Sequence, residues 1–313
     1  MKPTAAQDLD LVGAGGNLHV SWTTRQPDGR YRLYAACARG PAQSFSEPIL
    51  LGGATDCGDA SSLSAGSLGG GSDLVLVTWE ATPAGASSKR TALLAAWMSD
   101  DGHLLAAPAA LWEERNAPNR GAWSDLRAMV SQRKAVLYFE DVFRKDDNTK
   151  ALFMARSNGP DEVWSPARQV SLPTDDPDAE FPSPARAGGL RLLQWTQTGA
   201  SAVMGRNIMV GPLDAAGTTV SSARVLSPGA GNHACHNSLA ALGSRAWSAW
   251  EERLLKSTNW ATSESAGTSW TRPERLCSYS SGWRPPALAV TNRGECWVVW
   301  AGDAGGVQAM RLP

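Results

Sequence analysis

Apolar and polar residues alternate along the chain in short, recurring runs. In N-L-H-V-S-W, residues 17–22, the alternation puts apolar side chains on one face of a strand and polar ones on the other. D-L-V-L-V-T-W, residues 73–79, is almost continuously apolar, as expected of a strand covered on both faces. Six such segments end in an aromatic residue: Trp22, Trp79, Phe139, Trp195, Trp250 and Trp300, recurring every 50 to 60 residues. After most anchors come another strand, a turn marked by glycine or polar residues, and a closing run. The closing runs read F-S-E-P-I-L-L from Phe45, W-S-P-A-R-Q-V from Trp164, V-S-S-A-R-V-L from Val220 and W-T-R-P-E-R-L from Trp270. Helical periodicity is nearly absent.

Four short strands per repeat, six times over, predict an all-β fold: a six-bladed β-propeller with four-stranded antiparallel blades, the whole of 1–313 forming one domain. The sixth repeat is short, ending G-V-Q-A-M-R-L-P. The segment from Thr4 to Leu9 is expected to supply its missing outer strand, so that an N-terminal strand closes the last blade and hides an open edge. A pair of β-sandwiches is the competing architecture, disfavoured by the regular period.

Composition narrows the class. The 313 residues are 42 % hydrophobic and 19 % charged with a net charge of -1, which suits a soluble protein with a large core and gives no general attraction to nucleic acid or an anionic membrane. No apolar run reaches the roughly 20 residues of a membrane helix, and no signal peptide is read at M-K-P-T-A-A-Q-D, so a cytoplasmic location is expected. The five cysteines, Cys37, Cys57, Cys235, Cys277 and Cys296, include no C-x-x-C pair and read as small core side chains. Tryptophan is abundant, 14 residues against 5 Phe and 4 Tyr, so the fold calls repeatedly for a large flat side chain.

S-E-S-A-G-T-S-W, Ser263 to Trp270, resembles the S-x-D-x-G-x-[ST]-W turn, the Asp-box or BNR repeat, of the sialidase superfamily, with Ser265 in the aspartate position. S-N-G-P-D-E-V-W (Ser157 to Trp164), A-R-G-P-A-Q-S-F (Ala38 to Phe45) and L-D-A-A-G-T-T-V (Leu213 to Val220) are degenerate versions. The resemblance implies a propeller whose boxes are structural, their aromatic residue filling the gap between sheets far from any active site. It does not imply sialidase catalysis. The family's F/Y-R-I-P motif is absent where A-A-Q-D-L-D-L-V stands, and Arg25, Arg253 and Arg284 lie outside the family's arginine contexts.

In a propeller, ligands meet the loops that lead into each innermost strand and those that leave the second strand. Here the first set carries Trp123, Asp125, Glu180, His233, His236, Asn237, Tyr279, Trp283 and Arg284, and the second carries Arg25, Glu80, Glu140, Glu251, Glu252 and Arg253. Acids follow the anchor directly in three repeats (W-E, F-E-D, W-E-E), and the differences among repeats suit one central site better than six equal ones. Glu251, Glu252, Glu140 and Glu80, with Asp125 and His236, are the candidates for carboxylate acid/base chemistry of the glycoside hydrolase type. Trp123 and Trp283 offer faces for a sugar ring; Arg284, Arg25, Arg253, Glu180, Asn237 and Tyr279 offer polar contacts. An acidic mouth has the wrong sign for an anionic sugar, which argues against an exo-sialidase. No cofactor is expected, although His233 and His236 form an H-x-x-H that could take a divalent metal. The expected partner is a small molecule or glycan. A noncatalytic glycan- or protein-binding propeller is the alternative, and the oligomeric state is not readable.

Overall fold

The computed structural model describes residues 6–14, 16–25, 31–39, 44–51, 56–63, 74–82, 92–113, 124–131, 133–142, 150–173, 178–187, 189–198, 205–227, 233–278, 286–291, 294–301 and 307–313. Every regular element among them is a strand. The first sheet comprises β1 (Ala6–Ala14), β2 (Asn17–Arg25), β3 (Tyr31–Ala38) and β4 (Ile49–Leu50). The second comprises β5 (Asp56–Leu63), β6 (Leu74–Thr82), β7 (Ala92–Ser99) and β8 (Ala109–Glu113). The third comprises β9 (Ser124–Ser131), β10 (Lys134–Val142), β11 (Lys150–Ser157) and β12 (Arg168–Gln169). The fourth comprises β13 (Ala179–Ala187), β14 (Leu190–Thr198), β15 (Arg206–Leu213) and β16 (Arg224–Val225). The fifth comprises β17 (Ala234–Leu242), β18 (Arg245–Glu252), β19 (Ser257–Ser263) and β20 (Glu274–Ser278); β21 (Ala287–Val290), β22 (Cys296–Ala301) and β23 (Val307–Leu312) form a three-stranded sheet. In each sheet, sequence neighbours are hydrogen-bonded neighbours, the meander of a propeller blade.

The fold is thus an all-β propeller with five complete four-stranded blades, where six were expected. The expectation for Thr4 to Leu9 is also corrected. Residues from Ala6 onward belong to β1, which pairs with β2 (Ala6 with Thr24, Ala14 with Asn17), and no fourth strand joins β21–β23 among the described residues. The tight turn through Gly16, at φ 82°, makes that hairpin local. Closing a two-residue loop costs far less entropy than bringing together the two ends of the chain. No helix among the described residues is long and apolar enough to cross a membrane.

Two compact units are present: Met1–Phe139 with Met154–Arg168, and Glu140–Phe153 with Gln169–Pro313. In the first, Leu33, Val75, Val77, Trp79 and Met98 pack together, and a second cluster joins Leu76, Trp97 and Val130 with Trp164. Trp164 stacks on Trp97 with ring centroids 6.4 Å apart. In the second unit Trp270 touches two clusters, one around Leu192, Leu239 and Ala246, the other around Ile208, Val210, Trp250 and Ala261. The anchors Trp79, Phe139, Trp195 and Trp250 are all fully buried at one place in the second strand of their sheets.

The turns before the closing runs share a hydrogen-bond scheme. Ser46, Ser165 and Thr271, each just after the aromatic or apolar residue, donate a backbone N–H to Cys37, Arg156 and Thr262. Their hydroxyls accept the N–H of those same residues at 3.2, 3.0 and 3.0 Å. In Ser263 to Trp270, the Ser263 hydroxyl accepts the Gly267 N–H at 2.9 Å and the Ser265 hydroxyl accepts the Ser269 N–H at 3.0 Å. Trp270 donates its indole N–H to Gly267 at 3.1 Å. Gly267 sits at φ 82° with Leu192 Cδ1 only 2.7 Å from where a Cβ would be, so both backbone and space require glycine. In Leu213 to Val220 the same bracing falls to Asp214, whose oxygens take the Thr218 N–H and hydroxyl at 2.7 and 2.8 Å. Partial burial works against the Asp214 charge, but these hydrogen bonds outweigh it and hold the carboxyl below its ordinary range.

Candidate functional site

All the interactions of this site lie in the second unit, at the start of β13 and β17 and the ends of their partner strands. Both first strands carry a bulge opposite the anchor. The register of β13 on β14 shifts between Glu180 and Ser183, and that of β17 on β18 shifts between Cys235 and Ser238. The residue that opens each bulge has positive φ without being glycine: Phe181 at 54° and His236 at 45°. Such conformations cost on the order of 1–3 kcal/mol each and re-aim the side chain that adopts them. After each bulge a serine ties the strand to the next first strand: Ser183 Oγ accepts the Leu239 N–H at 2.9 Å, and Ser238 Oγ accepts the Leu288 N–H at 3.1 Å. The strained residues are therefore fixed from both sides.

Register then determines the chemistry. Glu251, the residue after the Trp250 anchor, pairs directly with Cys235, so their side chains share a face. The bulge brings the His236 ring to the same place. Nδ1 lies 2.7 Å from Glu251 Oε2 and 3.5 Å from Cys235 Sγ, and the Phe181 ring packs edge-on at 4.8 Å. Glu251 is completely buried and the His236 side chain is 12 % exposed, so the group reaches solvent at the histidine. Burial first and the Glu251 charge second push the Cys235 thiol up to about 12, so it is protonated at neutral pH.

A second group adjoins it. Lys150, which opens β11, places Nζ 2.9 Å from Glu140 Oε1 and 2.8 Å from Glu180 Oε1. Arg206, which opens β15, puts Nη1 3.0 Å from Glu180 Oε2. The second oxygen of Glu140 accepts the Phe181 N–H at 3.3 Å, linking the ion-pair network to the bulge that supports His236. Glu140 and Glu180 are buried while Lys150 and Arg206 are about one-third exposed. Burial opposes the Lys150 charge, but the Glu140 and Glu180 carboxylates outweigh it and hold the ammonium above its ordinary range.

Asn237 donates Nδ2 to the Phe181 carbonyl at 2.9 Å. Its Oδ1 is buried and has no partner among the described residues, which leaves an acceptor for a hydroxyl or a water.

Of the residues expected from sequence, the structure thus brings together Glu140, Glu180, His236, Asn237 and Glu251. Glu252 belongs to the opposite face of β18. It accepts the Trp250 indole N–H at 3.2 Å, as Gln197 accepts that of Trp195 at 2.9 Å. Burial raises the Glu252 carboxyl above its ordinary range, with the Trp250 hydrogen bond and Arg275 working against the shift. His233 is exposed and lies outside the Cys235, His236 and Glu251 group; its carbonyl accepts the Arg253 N–H at 3.3 Å. Arg253 is close enough to act electrostatically on Cys235. Arg25 ends β2, Glu80 lies in β6 and Asp125 in β9, but their side chains fall outside the described set; Trp123, Tyr279, Trp283 and Arg284 lie outside the described residues. Lys150, Arg206, Phe181 and Cys235 were not expected. A basic residue opening the third strand, in repeats whose first two strands supply acids, was the available signal for the first two.

The fold has relatives among known structures. The α-L-arabinanase of Penicillium chrysogenum, solved with arabinobiose, is 16 % identical, with 98 % of this chain and 93 % of that chain covered at a TM-score of 0.63. The GH93 α-L-arabinofuranosidase of Fusarium graminearum, also solved with arabinobiose, is 12 % identical over 98 % and 92 % at 0.59. A protein of unknown function from Dyadobacter fermentans is 11 % identical over 99 % and 94 % at 0.64. At these identities the likeness is one of fold. No family model and no curated protein sequence matches the chain.

Proposed function

We propose that this protein is a carbohydrate-active enzyme of the glycoside hydrolase type, acting on a neutral pentose-containing glycan at the Glu140, Glu180, His236 and Glu251 group. The carrying observation is that three buried carboxylates converge with a polar, partly solvent-reachable edge made by Lys150, Arg206 and His236. Glu140 faces an ammonium and a backbone N–H, which suits attack on, or stabilisation of, a positively charged sugar transition state. Glu251 has an imidazole at hydrogen-bond distance with which to exchange a proton, which suits the acid/base role. The open Asn237 Oδ1 supplies an acceptor for a sugar hydroxyl. Two of the fold relatives were solved with arabinobiose, which makes arabinose-containing glycans the first substrates to try. The hydrogen-bonded turns at Ser157 to Trp164 and Ser263 to Trp270 support placing the fold among sialidase-like propellers, with β21–β23 as a sixth, shorter blade of a single domain.

The test is hydrolysis of an aryl α-L-arabinofuranoside and of linear arabinan by wild type, Glu140→Gln and Glu251→Gln. Wild-type turnover with kcat/KM down about 10²–10⁴-fold in each variant is expected. Wild-type turnover unaffected by either substitution would remove these residues from the chemistry. A second reading, a noncatalytic glycan-binding propeller, is favoured by one observation: Glu140 already has both oxygens hydrogen-bonded within the protein. Calorimetric binding of arabinobiose with no turnover of any substrate would establish that reading.

A further inference from the structure

Cys235 Sγ, His236 Nδ1 and Glu251 Oε2 form a triangle with edges of 3.5 Å (S to N), 3.9 Å (S to O) and 2.7 Å (N to O). This arrangement cannot relay a proton from thiol to carboxylate through the ring, because a relay needs the thiol at one ring nitrogen and the carboxylate at the other. Here both address Nδ1, which carries one lone pair or one proton. Three donor atoms all within 4.8 Å of one another are instead an arrangement that can hold a cation. We propose that Cys235, His236 and Glu251 form a zinc-type divalent metal site, with a fourth position open to water or ligand on the side where His236 meets solvent.

Bond lengths of about 2.3 Å to sulfur and 2.0–2.1 Å to nitrogen or oxygen make the edges of a tetrahedral zinc site about 3.6 Å for S to N and about 3.3 Å for N to O. The S to N edge already fits. The N to O edge opens by about 0.6 Å as a metal replaces the proton between those atoms, a shift within the reach of a Glu side chain. Mixed sulfur, nitrogen and oxygen ligands select zinc, cobalt or copper over magnesium or calcium. Two devices hold the ligands in place: the register pairing of Cys235 with Glu251 and the positive-φ bulge at His236. Binding forms metal–S, metal–N and metal–O bonds and breaks the thiol S–H bond. The thiol proton goes to solvent, and any Nδ1 proton leaves or re-forms on Nε2, so the reaction releases protons and strengthens with pH.

The inference stands apart from the proposed hydrolase activity, since its readout is not turnover. The probe is Co²⁺ added to the metal-free full-length protein, followed by absorption spectroscopy, with Zn²⁺ as competitor. Expected are one cobalt per chain, intense visible bands of tetrahedral geometry and a near-ultraviolet thiolate-to-cobalt band, all bleached by one equivalent of zinc. Cys235→Ser loses the thiolate band, and Glu251→Gln weakens binding about tenfold or more. No thiolate band in wild type, or one that survives in Cys235→Ser, overturns the proposal without recourse to any other variant. If the hydrolase reading also holds, zinc occupies Glu251 and His236 and inhibits, and a chelator restores activity. Metal binding together with no turnover by the metal-free protein leaves the site intact and counts only against the hydrolase.

Discussion

Lys150→Met removes one charge from the centre of the buried network while keeping a side chain of similar length. Glu140 and Glu180 are 3 % and 4 % exposed, so the variant removes the ammonium that both buried carboxylates share, while Arg206 still pairs with Glu180. Glu140 keeps the long 3.3 Å bond from the Phe181 N–H. Removing one partner of a fully buried ion pair costs about 3–5 kcal/mol. The Lys150 side chain is 34 % exposed, so water replaces part of what the ammonium supplied, and the expected loss is about 2–3 kcal/mol.

A pH dependence follows from the same geometry. The Lys150 ammonium is held above its ordinary range, so it stays charged across neutral pH, and its contribution is lost only as pH rises through that raised value. The assay is equilibrium urea unfolding followed by tryptophan fluorescence at pH 8. Buried Trp195, Trp247 and Trp250 report from the unit that carries the site. A difference of about 2–3 kcal/mol is expected. Adding Glu140→Gln to the variant recovers part of the loss. A destabilisation under about 0.5 kcal/mol would refute the view that Lys150 neutralises buried charge.

Other outcomes follow from single contacts. Burial raises Glu252, so its ionisation costs stability as pH rises from the unfolded carboxylate value through the raised folded one; Glu252→Gln, whose amide oxygen still accepts from Trp250, flattens that part of the urea-derived stability profile. Ser265→Asp keeps the acceptor for the Ser269 N–H and adds charge to it, so the melting temperature holds or rises, whereas Ser265→Ala loses about 0.5–1 kcal/mol by urea titration. Gly267→Ala, at φ 82° and against Leu192, costs more than Ser265→Ala in the same titration.

The repeat was legible because one requirement recurs. Each second strand carries a large aromatic at one place, fully buried in four sheets, and the serine or threonine after the closing aromatic makes the same pair of hydrogen bonds in several sheets. The N-terminal strand was misplaced because an alternating segment such as D-L-D-L-V fits any sheet edge. What decides its partner is the Gly16 turn, a local entropic preference for pairing with β2. The basic half of the site was hidden for a different reason. Lys150 and Arg206 are the first residues of third strands, at the far ends of the loops that leave the second strands, and strand pairing brings them back to Glu140 and Glu180.

The pair Glu251–Glu252 shows why acid counts alone could not define the chemistry. In a strand, neighbouring side chains take opposite faces, so W-E-E divides into two roles. The residue two after the anchor shares the tryptophan's face and caps its indole N–H, a role that Gln197 fills after Trp195. The residue one after the anchor faces the first strand, where Glu251 meets Cys235 and, in the neighbouring sheet, Thr196 meets Glu180. A glutamate two after the anchor is thus interchangeable with glutamine and tied to packing. At the position one after it, the bulged strand opposite decides the chemistry: it presents Glu180 and Phe181 in one sheet, Cys235 and His236 in the next. The site is set by first-strand bulges reading second-strand positions. Chemically distinct groups can therefore sit side by side on blades that are otherwise repeats of one another.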